Sequence, residues 1–114
     1  MSQLDTSLSY HFTRGTPIAL ADQFGDGLEH LSASDKTHIL LLFANWQHLD
    51  TIDRESGGEG WTLEQALNRH YSEPKSPNVI TFLDHFADED PDEGTSMRLI
   101  QLLALQLERG IYAR

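Results

Sequence analysis

The segment from Lys36 to Ile52 restricts this chain more than any other. Ser32-Ala-Ser-Asp35 offers helix N-caps just before it, and apolar residues then recur at three- and four-residue steps, predicting a helix over about 36–52. At about 100° per residue, Ile39, Leu42, Phe43, Trp46 and Leu49 share one face. His38, Leu41, Asn45, His48 and Ile52 form a second, mixed seam at the same spacing. A helix apolar on more than one side sits at the centre of its bundle or is covered by a partner. The rest of the chain must therefore either surround this helix or leave a side of it to another molecule.

The remaining elements read as helices of ordinary length. Thr16-Pro17 sets a cap and a first-turn proline before Ile18, Ala21, Phe24, Leu28 and Leu31, with Gly25 and Gly27 as points where that helix breaks. Thr62-Leu-Glu-Gln65 fits a capping box and starts a short helix to about Tyr71, with Leu63, Ala66, Leu67 and His70 on one side. Glu73-Pro-Lys-Ser-Pro77 interrupts the chain, and Ser76 caps a helix carrying Val79, Ile80, Phe82, Leu83 and Phe86. A last helix is expected over about 96–109, stopped by Gly110, with Met97, Ile100, Leu103, Ala104, Leu107 and Ile111 facing the core. Leu102 and Leu105 fall outside that stripe. Residues 7–13 alternate Leu8, Tyr10 and Phe12 with polar residues, the period of a half-buried strand. A lone strand must lie across the helices, pair with a short second segment, or pair with another chain. The expectation is one all-α domain over 1–114: a compact bundle of about five helices with residues 1–15 as an extended, β-type arm.

A chain of 114 residues is long enough to build a core without disulfides or metal. The absence of cysteine removes thiolate zinc sites and thiol nucleophiles and is compatible with a reducing compartment. With 18 acidic residues against 8 Lys plus Arg, the net charge of −10 argues against direct nucleic-acid binding. The N-terminus lacks a basic start and apolar run, and the longest apolar stretch, Ile39 to Ala44, is too short for a bilayer. A cytoplasmic protein without membrane contact is expected.

No motif specifies a reaction. Asp53 to Glu64 partly matches a calcium loop, with Asp53, Glu55 and Glu64 at the first, third and twelfth positions and Gly58 at the turn. Gly57 and Gly60 supply neither the fifth-position oxygen nor the usual eighth-position aliphatic group. The six histidines show no metal-binding spacing; His38 and His48 lie about 80° and about 15 Å apart on one helix. No Gly-x-Ser-x-Gly elbow, dinucleotide loop or phosphate loop is present. The reading is of a non-enzymatic protein with no cofactor and no metal.

Surface features remain. Five acids, Asp88, Glu89, Asp90, Asp92 and Glu93, fall in one connection, where Asp90-Pro91 resembles a helix start. The expected function is a small acidic protein-protein interaction module, a regulator or adaptor that forms a homodimer. Its partner contacts are expected at His38, Leu41, Asn45, His48 and Ile52, with Leu102 and Leu105 as a second patch. Two alternatives are an acidic mimic inhibiting a nucleic-acid-binding protein, and a calcium-binding helix-loop-helix with a degenerate loop at 53–64.

Overall fold

A computed structural model describes residues 6–12, 15–69 and 74–114. Among these residues six helices follow one another: α1 (Leu8–His11), α2 (Thr16–Phe24), α3 (Ala33–Glu55), α4 (Leu63–Arg69), α5 (Pro77–Asp84) and α6 (Glu93–Glu108). The all-α class expected from periodicity is what the chain adopts. Among the described residues there is no strand, only an isolated bridge between Ser32 and Ala113.

The long helix α3 is central. It packs most extensively against α6, then against α4 and α5. Its start is a full capping box: the Ser32 hydroxyl accepts from Asp35 N, and the Asp35 carboxylate accepts from Ser32 N. Ile39, Phe43 and Trp46 enter the core as expected, and Leu42 and Leu49 pack against it. Phe43 meets Phe86, Trp46 and Phe82 at ring-centroid distances of 5.7, 6.1 and 6.2 Å, which ties α3 to α5 and the residues after it. Helices α4 and α5 start where the sequence indicates, whereas α2 starts one residue early, with Gly15 and not Thr16 as its N-cap. Thr62 and Gln65 form the reciprocal capping box of α4, and Ser76 Oγ accepts from Val79 N at the start of α5. His70 and Tyr71, expected at the end of α4, lie outside the described residues, as does Thr13 of the expected strand.

Two expectations are corrected and one is met. The segment expected to be a strand forms the single turn α1: Leu8 is fully buried, while Tyr10, which should share its face in a strand, is 67% exposed. The cause is a contact distant in sequence, since Asp26 accepts from Leu8 N through its carbonyl and from Ser9 N and Ser9 Oγ through its carboxylate. The expected break at Gly25 is met: α2 ends at Phe24, where Gly25 adopts φ +91° and a Cβ would also strike the Glu29 carboxylate. Leu28 and Leu31 are still buried, but from the turn that follows. Finally, α6 is rotated by about one residue, roughly 100°, from its expected orientation. Ser96, Leu99, Leu102, Leu103 and Gln106 face inward, while Met97 is 42% exposed and Ala104 is also exposed.

That rotation is tied to Lys36. This side chain is fully buried one turn before Ile39 on the core stripe of α3, and it donates to Gln106 Oε1 (2.8 Å), Gly27 O (3.1 Å) and Ile111 O (2.5 Å). Gln106 in turn donates to Thr6 O at 2.8 Å. One ammonium thus joins α3, the turn after α2, α6 and the C-terminal segment. Burial pulls its pKa from 10.5 down to about 8, against an opposing pull from the Glu29 charge.

Candidate functional site

On α3, the expected seam is in large part exposed. Leu41 is 58% exposed and Ile52 46% exposed, His48 is exposed, and His38 and Asn45 are half-buried. Beside His38 and Leu41, a depression of about 360 Å³ reaches Asp35, Pro74 and Ser76. Burial pushes the Asp35 carboxyl up, but hydrogen bonds from Ser76, Asn78 and Ser32 outweigh this and hold it below its ordinary 3.8. Asp35 therefore fastens the start of α5 to the start of α3 (Ser76 Oγ to Oδ1, 2.7 Å).

The second expected patch needs correction. Leu102 is only 2% exposed, because the rotation of α6 carries it inward, and Leu105 is half-buried. Both border a depression of about 470 Å³ between α1 and α6, alongside His11, Arg98, Gln101, Ala104 and Glu108.

The Asp53 to Glu64 window is not arranged as a cation loop. Helix α3 continues to Glu55, so Asp53 and Glu55 lie on the helix rather than in the loop. The Asp53 carboxylate accepts from Gly60 N, and Asp50 accepts from Trp61 N while pairing with Arg54 at 3.0 Å. Trp46 Nε1 donates to Trp61 O at 2.7 Å. The loop is thereby clamped back onto α3. Gly60, at φ +91°, leaves no space for a Cβ beside Asp50 and Arg54. No group of three or more His, Asp or Glu able to hold a metal occurs among the described residues.

The acidic connection has two roles. Asp92, not Asp90, caps α6, accepting from Thr95 N at 2.7 Å, and that hydrogen bond lowers its pKa. Helix α6 thus starts three residues earlier than the sequence indicates. Asp90 instead accepts from Leu63 N at the start of α4, 27 residues away. This contact places the connection beside α4 and opens two adjoining depressions, both lined by Thr62 and Asp90.

The first, about 610 Å³, has Leu63, Leu67, Leu83 and Phe86 at its floor and Glu64, Asp84, Asp88, Glu89 and Asp90 around it. The second, about 480 Å³, is bordered by Trp46, Trp61 and Gln47, with Asp50, Glu59, Asp90, Asp92 and Glu93. Among the described residues, nine of the 18 acids line this pair, against Lys75 and Arg54, with the Arg69 guanidinium 5.4 Å over the Trp61 ring beside it. Sequence reasoning found the acidic run but missed the opposing wall. Glu64 and Leu67 on α4 carry no mark of lying opposite Asp88 and Glu89; only the Asp90 contact brings them together.

Comparison with known protein families, curated proteins and solved structures gave no match to this chain. No helix among the described residues is long and apolar enough to cross a membrane.

Proposed function

We propose that the chain is a small acidic protein-interaction module that regulates or recruits another protein by binding it, in the cytoplasm and without chemistry of its own. The observation that carries this reading is the gathering of nine acids around two adjoining depressions with apolar residues at their floor. Concentrated charge of one sign steers and selects partners of the opposite sign, and apolar surface supplies affinity once they meet. Affinity capture from the native host tests it. The chain should retain proteins with basic surfaces, and the Asp88→Lys/Glu89→Lys variant should lose them. A capture profile unchanged by the reversal would overturn the reading.

Self-association through the α3 seam belongs to the same proposal. It is supported by the exposure of Leu41 and Ile52, three turns apart on one side of the longest helix. Sedimentation should show a dimer at micromolar concentration that Leu41→Asp dissociates; a monomer throughout would remove this part. The mimic of a nucleic acid draws on the same carboxylates as a second reading. It requires that captured partners be released by excess DNA or RNA and by salt.

A further inference from the structure

The acidic surface is not a plain electrostatic face. Carboxylates that merely repelled nucleic acid or kept the chain soluble would have no need of a recess, yet here they surround one with Leu67 and Phe86 at its base. Gln47 adds an independent sign in the second recess. It is only 8% exposed, it lines the recess, and none of the hydrogen bonds that fasten Trp46, Asp50 and Trp61 around it involves its amide. Its amide opens onto the recess with no hydrogen bond from the protein, so an incoming polar group can take the place of water there.

We propose that the two depressions form one docking groove for a Lys/Arg-rich amphipathic segment of a partner protein. The apolar side chains of that segment seat against Leu67 and Phe86 in the first recess. A cationic side chain enters the second recess and donates to the Gln47 carbonyl between Asp50 and Glu93. Charge complementarity selects the occupant: the walls carry nine acids and two bases, so an acidic or neutral segment would leave the carboxylates facing one another across a closed groove. The proposal rests on the interaction-module reading and specifies the site and the chemistry of its partner.

Fluorescence anisotropy with labelled synthetic peptides tests it on the full chain. A short Leu-Lys amphipathic peptide should bind saturably, one per chain. Oligolysine of equal charge should bind about tenfold more weakly or worse, and a Leu-Glu peptide should not bind. Leu67→Gln should weaken the Leu-Lys peptide by about tenfold, and Asn68→Lys, an exposed position on the same recess, gives the same readout if Leu67→Gln fails to fold. Ile80→Gln, an exposed position on α5 that lines neither depression, should leave peptide binding unchanged. Equal binding of oligolysine and the Leu-Lys peptide, or binding indifferent to both groove variants, would overturn the groove. Binding lost on Ile80→Gln would also overturn it, moving the contact away from the groove while leaving the module reading standing. Absence of any peptide binding would dispose of the groove, and host capture would then decide the module reading separately.

Discussion

Charge is handled in opposite ways at two places in this molecule. Beside α6 a single cation is sealed inside and saturated by three neutral acceptors from three parts of the chain. Around α4 nine carboxylates line one open groove with two bases among them. The sealed charge fixes where helices lie, because breaking it strands buried acceptors. Asp50, Asp90 and Asp92 hold the ends of helices and loops, but the others, Asp88 and Glu89 among them, contribute little to folding, and their concentration is informative about what approaches from outside.

Removing the sealed cation should have the largest effect. Lys36→Met leaves Gly27 O, Ile111 O and Gln106 Oε1 without their donor, and urea titration should show a loss of about 3 kcal/mol. A loss below about 1 kcal/mol would mean that burial of the ammonium cancels its hydrogen bonds.

A pH series sharpens the same point. The folded pKa of about 8 lies below the ordinary 10.5, so between these values the unfolded chain binds more protons and stability rises with pH. The expected rise is about 2 kcal/mol, the linkage value of that pKa difference reduced by solvent screening. It should be absent in Lys36→Met; a wild type that loses stability over this window would refute the depressed pKa.

Asp35→Asn comes next, at about 1 kcal/mol near neutral pH, since it weakens the cap and the link to Ser76. The Asp35 carboxyl is held below 3.8, so its contribution is present above that value and lost as pH falls through the folded pKa. The acid limb of the stability curve should therefore be shallower in the variant. The smallest stability effect belongs to the open charges: Asp88→Lys/Glu89→Lys should shift unfolding by no more than about 0.5 kcal/mol while abolishing partner capture. A large destabilisation there would erase the contrast between the two regions.

Local chemistry was legible in the sequence. The caps at Ser32, Thr62 and Ser76 and the face Ile39-Phe43-Trp46 follow from hydrogen-bonding side chains and helical period, and each forms as read. The failures share one cause: a distant polar contact overrides the local pattern. Asp26 turns an alternating segment into a helical turn. Lys36 and Gln106 occupy core positions that hydrophobic periodicity assigns to the surface, which hides both the true face of α6 and the burial of Leu102. The position of Lys36, three residues before Ile39 and seven before Phe43, was the signal available in the sequence. The groove was half legible, since the acidic run stands out but its apolar base comes from α4 and α5.

The acceptors of Lys36 also impose a schedule on biosynthesis. Ile111 O lies 75 residues downstream, and Ala113 N closes onto Leu31 O only beyond that. At about 5–20 residues per second, a ribosome adds the last acceptor roughly 4–15 s after the lysine. During that interval water serves the ammonium in place of Ile111 O. The residues of the helix that organises the bundle are thus made well before the one that completes the seal around its lysine.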